Sequence, residues 1–199
     1  MRYHIPRVAV LVLAVAVLLT GCGSDKGPAE QAIKAAEDAF NAAKAEAVKY
    51  VPDQVKSVEG AIAAVKDKFS KNDYKAVLTE AGAIPGKVKE MTAAASAKKE
   101  ELTKTWGSLS EGLPKVVEAI QSRVDILSKA KKLPANLTAE KLAEAKSGLT
   151  AAKDEWAKAV ESQKAGNIAE AVSAANSVKE KAVKAMEILG LPVPAGAKS

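Results

Sequence analysis

Residues 29–50, AEQAIKAAEDAFNAAKAEAVKY, decide the class of fold. Ile33, Ala36, Phe40, Ala43, Ala47 and Tyr50 recur in steps of three and four, which lines them up along one side of an α-helix, while Lys and Glu fill the other faces. The same period continues almost to the end of the chain, and no stretch alternates with period two or gathers the β-branched residues of a strand. The predicted class is all-α, an antiparallel bundle of about six helices, either as one bundle or as two three-helix units.

Prolines, glycines and short polar side chains mark the expected helix ends. Pro52 lacks a backbone donor and disfavours helical geometry at Val51, yet suits the first turn of a new helix, so Tyr50-Val51-Pro52 predicts a bend. A second helix carries Val55, Val58, Ile62, Val65 and Phe69 and closes at Lys71-Asn72-Asp73-Tyr74, where Asp73 or Asn72 is free to cap the third. The third places Tyr74, Val77, Ala81, Ile84, Val88, Met91 and Ala95 on one side and runs to about Trp106. Gly82, Pro85 and Gly86 lie inside it. A proline costs about 3 kcal/mol in an unbroken helix, so a kink or a break is expected near Ile84.

Gly107 ends that helix in this reading, and Ser108 with Glu111 offers a capping box for a fourth, which carries Leu113, Val116, Ile120, Val124 and Leu127 as far as Leu133-Pro134. The fifth starts at Thr138, uses Leu142, Ala145, Leu149, Ala152, Trp156 and Ala159, and stops at Ala165-Gly166. The sixth opens on a capping box of Asn167 and Glu170 and carries Ile168, Ala171, Ala175, Val178, Ala182, Ala185 and Leu189. This gives one helical unit over residues 29–106, a second over 107–189 and a loose tail over 190–199. A shift of 95 residues lays Asn72, Ala76, Val77, Val88, Lys89 and Met91 on Asn167, Ala171, Val172, Val183, Lys184 and Met186, which makes a duplication a candidate.

Ahead of the helices, Arg2 and Arg7 precede an apolar run from Val8 to Leu19, the order of a secretory signal. The run is short of the roughly 20 residues that a membrane-crossing helix needs. It closes at Leu19-Thr20-Gly21-Cys22, which resembles the lipobox of bacterial lipoproteins. The resemblance implies cleavage between Gly21 and Cys22, loss of residues 1–21 as a signal peptide, and a diacylglycerol group on the Cys22 sulfur. Two long acyl chains, at about 0.8 kcal/mol per buried methylene, give a stable membrane anchor. Residues 22–28 then read as a lipidated cysteine and polar tether. Gly23, in place of an aspartate after the cysteine, implies the periplasmic face of the outer membrane in a source with two membranes.

A second resemblance covers about Ala32 to Ala81. The bend Tyr50-Val51-Pro52-Asp53, followed by Asn72-Asp73-Tyr74-Lys75-Ala76, is similar to an uncharacterised family of small helical domains in bacterial envelope lipoproteins, whose hairpins resemble those of tetratricopeptide repeats. Asn72 stands where that family usually has glycine, and asparagine also tolerates the turn geometry. The family implies no catalytic residues.

Composition narrows the function. Both signal arginines leave on cleavage, so 30 basic side chains become 28 against 24 acidic ones, a net +4. Lys129, Lys131 and Lys132 form the only tight basic cluster, at an expected helix end where cations complement the dipole, so nucleic acid is not an expected partner. His4 is the only histidine and Cys22 the only cysteine; after processing neither an imidazole nor a free thiol remains. That removes the usual general base, the thiolate nucleophile and any zinc or haem spacing, and no catalytic residue, metal ligand or cofactor is predicted. Paired carboxylates are the remaining catalytic option. The acids, however, mostly precede a lysine by four residues, in Glu30/Lys34, Asp67/Lys71, Glu100/Lys104, Asp125/Lys129, Asp154/Lys158 and Glu180/Lys184, which is the arrangement of a wet helix surface.

Trp106, Trp156, Tyr50 and Tyr74 are read as core packing, with a ligand groove as the alternative. The expected protein is a non-catalytic binding or scaffolding module, held on a membrane through Cys22, whose partner is an envelope protein or peptidoglycan. The alternative is a structural spacer between outer membrane and peptidoglycan. The best-known small lipoprotein of that kind joins the wall through a terminal lysine, whereas here Lys198 is followed by Ser199.

Overall fold

The computed structural model describes residues 25–194. Gly21, Cys22 and the rest of the signal and lipobox lie outside the described residues, as do Gly23, Ser24 and 195–199. The described residues form five helices: α1 (Lys26–Ala47), α2 (Pro52–Ser70), α3 (Tyr74–Lys129), α4 (Ala139–Lys164) and α5 (Ile168–Ile188). The class is all-α, with five helices where six were expected.

The difference lies in α3. The segments read as a third and a fourth helix are one helix of 56 residues that passes through Pro85, Gly107 and Pro114. At 1.5 Å per residue it is about 84 Å long. The Ser108 capping box does not form. Ser108 Oγ instead donates to Lys104 O at 3.5 Å and Ser110 Oγ to Gly107 O at 2.9 Å, as mid-helix serines do. Tertiary packing outweighs the local penalties, because the apolar stripe keeps its phase across Gly107. Ala95, Leu102, Trp106, Leu109 and Leu113 follow one another in steps of seven, four, three and four, and all five lie in or against the core. The helix ends at Lys129, short of the expected Leu133-Pro134.

The other ends follow local chemistry more closely. α1 begins within the expected tether, with Pro28 in a first turn where its missing N–H is not needed. Val51 (φ −137°) makes the bend and Pro52 starts α2. Asp73 caps α3 by accepting from Ala76 N at 3.2 Å, and Thr138 caps α4 by accepting from Lys141 N at 3.3 Å. Asn167 makes no such bond, so the second capping box is also absent. Leu191 and Val193 pack back on the core, which places the start of the expected loose tail against the bundle.

Three helix ends close alike. Asn72 (φ 61°), Gly166 (φ 80°) and Gly190 (φ 66°) take the left-handed conformation that glycine, and less readily asparagine, accepts. The next residue donates back around each turn: Asp73 N to Lys68 O at 3.0 Å, Asn167 N to Ser162 O at 2.8 Å and Leu191 N to Met186 O at 2.9 Å. Asn72 is therefore equivalent to Gly166 rather than to Asn167, and the internal match has an offset of 94 residues instead of 95. At that offset the buried Val77, Ala81, Ile84, Val88, Met91 and Ala95 of α3 fall on Ala171, Ala175, Val178, Ala182, Ala185 and Leu189, all buried. Val55, Val58 and Val65 of α2 likewise fall on Leu149, Ala152 and Ala159 of α4.

α1 and α2 pack on the first half of α3. α4 and α5 pack on its second half, and Ile168 and Val172 at the start of α5 also join the core of the first. Lys44 pairs with Glu59 at 2.6 Å and Lys66 with Glu37, seven residues back along α1 and seven on along α2, the register of an antiparallel hairpin. The tight turn at Asn72 brings α3 back alongside α1, where Lys99 Nζ reaches Glu46 Oε1 at 2.7 Å. Asp25 therefore lies toward the Tyr74 end of α3, and the connection 130–138 lies at its opposite end.

Candidate functional site

Among the described residues, clefts with polar rims open between the paired helices. The first, of about 440 Å³, lies between α1 and α3 over a floor of small residues that includes Ala39, Ala42, Ala43 and Ala95. Glu46 accepts a hydrogen bond from Lys99 at its rim, and Lys99 Nζ stands 5.8 Å from the centre of the Tyr50 ring. The Lys99 hydrogen bond holds the Glu46 carboxyl below the usual glutamate range. The same bond, with the Tyr50 hydroxyl, raises the Lys99 ammonium.

The second cleft, of about 270 Å³, lies between α4 and α5 over Gly148, Ala151 and Ala185. Lys184 Nζ meets Glu144 Oε1 at 2.8 Å on its rim, and that hydrogen bond raises the Lys184 ammonium. The third, of about 460 Å³, is at the far end of α3 and is lined by Arg123, Asn136, Lys141, Glu144, Glu187 and Gly190 among others. Arg123 is the only arginine after Arg7. Its Nε is buried and meets no acceptor among the described residues. Beside this cleft, Lys129, Lys131 and Lys132 are exposed at the end of α3 and in the following connection. The clefts offer charged donors and acceptors over small floors, an arrangement suited to recognition by ion pairs and hydrogen bonds.

The four singled-out aromatics do not share a groove. Trp106 and Trp156 stack on each other between α3 and α4, centroids 5.5 Å apart and planes 8° from parallel, both half-buried. Tyr50 is buried at the end of α1. Tyr74 meets the edge of Phe69 at 5.3 Å and donates to Asn72 Oδ1 at 2.6 Å. Of the expected helix-surface pairs, Asp67/Lys71 closes at 2.6 Å and Glu100/Lys104 at 2.7 Å. Lys158 turns instead to Glu155 at 3.3 Å, Lys184 reaches across to α4, and Asp125 accepts from Gln121 at 2.8 Å.

Sequence reasoning passed over Arg123, although its isolation among lysines was visible. The Glu46–Lys99 pair joins distant positions with no local signal. No group of three or more His, Cys, Asp and Glu among the described residues could hold a metal ion. None of the described helices is long and apolar enough to cross a membrane. No family model matches the chain, and no match is found among curated proteins or among solved structures.

Proposed function

We propose that the protein is a lipid-anchored, non-catalytic scaffold of the bacterial envelope, built as two three-helix units that share α3. Cys22 carries the lipid, on the periplasmic face of the outer membrane where the source has two membranes. The observation that carries this reading is the direction of α1. Asp25, three residues after Cys22, lies toward one end of α3, and the 130–138 connection lies at the other, about 80 Å away at 1.5 Å per residue. A lipid at the first end makes the second a tip held clear of the bilayer, where it can meet an envelope protein. The same length favours a second reading, a spacer that spans from membrane to peptidoglycan.

The test is a photo-crosslinking residue at Lys131, at the tip, or at Lys75, at the root, in cells that produce the intact chain or its Cys22→Ala variant. The scaffold reading expects a protein captured from Lys131 only when Cys22 is present. Capture of muropeptides without a protein selects the spacer. If Cys22→Ala leaves the protein membrane-bound and the capture unchanged, the anchored reading is wrong.

A further inference from the structure

We infer that the cleft at the far end of α3 is a binding site for an oxyanion, a carboxylate or a phosphate, with Arg123 as its principal recognition residue. This goes beyond the scaffold reading and does not depend on the lipid. Three observations support it.

The first is chemical. Every other cation after Arg7 is lysine, which suits a wet surface, and a single arginine among them lines a cleft of about 460 Å³, a volume in the range of small-ligand pockets. The planar guanidinium differs from an ammonium in presenting two parallel N–H bonds to a carboxylate or phosphate.

The second is energetic. Arg123 Nε is shut off from solvent and has no acceptor among the described residues, and a buried donor left unsatisfied is costly, more so when charged. The resting side chain therefore gains by turning its Nε edge into the cleft toward an anion, and the bound conformation differs from the resting one in this way. Lys141 supplies a second cation to the cleft and Asn136 an amide donor. The wall also carries two acids, Glu187 and Glu144, the latter paired with Lys184 at 2.8 Å.

The third is architectural. Buried Phe40 and Ala47 of α1 have counterparts in Ile120 and Leu127 of α3, eighty residues on, and in that register Arg123 takes the place of Ala43. Ala43 lines the α1–α3 cleft, so the first unit builds the equivalent place with a methyl group. The fold does not need an arginine there, and packing alone leaves its presence unexplained.

The test uses the full chain in detergent with 15N-labelled arginine, and follows the arginine Nε–H resonances. The Arg123 signal is assigned by its loss in Arg123→Lys. Inorganic phosphate and N-acetylalanine are titrated at constant ionic strength, with chloride as the control. A saturable shift confined to the Arg123 signal, reversed on dialysis, is expected with at least one probe; phosphate alone or carboxylate alone names the source of the oxyanion. Arg123→Lys keeps the charge and loses the fork, and is expected to weaken the same binding at least about tenfold, or 1.4 kcal/mol, read from backbone amides of residues 136–141 in uniformly 15N-labelled samples of the parent and the variant. No saturable shift with either probe, or equal affinity in Arg123→Lys with an unchanged melting temperature, overturns the site.

Discussion

Glu46 and Lys99 meet on the rim of the α1–α3 cleft, and their mutual hydrogen bond moves the two groups apart in pKa, the acid down and the base up. The depressed acid contributes stability above the ordinary glutamate range and loses it as pH falls through its lowered value; the raised base contributes below the ordinary lysine range. Glu46→Gln should therefore melt below the parent near neutral pH, with the gap closing on acidification below about pH 4. Both groups are exposed, so added salt should shrink the gap as well. Melting curves followed by circular dichroism at several pH values check both trends. Packing provides a sharper contrast within two turns of α3. Ile120 is 1% exposed and Ile126 59%. Ile120→Ala should cost about 2–5 kcal/mol in denaturant unfolding, and Ile126→Ala no more than about 0.5 kcal/mol.

At the scale of the element, the instructive case is α3. Ends whose cause is local were legible in the sequence: Pro52 after Val51, Asp73 ahead of α3, Thr138 ahead of α4 and the left-handed Gly166. The fusion across Gly107 was not, because proline and glycine state only what a helix costs alone, and the return comes from hairpins packed on it. The unbroken phase from Ala95 through Leu102, Trp106 and Leu109 to Leu113 was the available signal. Continuity makes a prediction. Within a helix, and with nothing within 4 Å of the added Cβ, Gly107→Ala should stabilise the protein by about 1 kcal/mol. Gly166→Ala, at φ 80°, should destabilise it. Had α3 ended at Gly107, the first substitution would also be unfavourable, and chemical denaturation of the two variants separates these cases. Among the clefts, the charged residues were visible as types, but their meeting across α1 and α3 or around Arg123 depends on helix register, which one sequence does not state.

For the whole molecule, α3 is the shared support. Nitroxide labels at Lys87→Cys and Lys129→Cys, in a Cys22→Ala background, should lie about 63 Å apart by electron–electron resonance, since each helical residue adds 1.5 Å. A second half folded back on the first would bring them far closer. The repeated pattern of turns and buried positions explains how one helix serves both halves: it is the third helix of one unit and the first of the next.

That sharing sets an order of events during synthesis. α1 and α2 find their partner surface on residues 77–95, so the first half can close as soon as that part of α3 has been made. Leu113, Ile120, Val124 and Leu127 are different, because the helices that cover them come later in the chain. Until α4 and α5 arrive, half of the longest helix presents an uncovered apolar stripe, and this interval is when the chain is most prone to associate with other copies of itself.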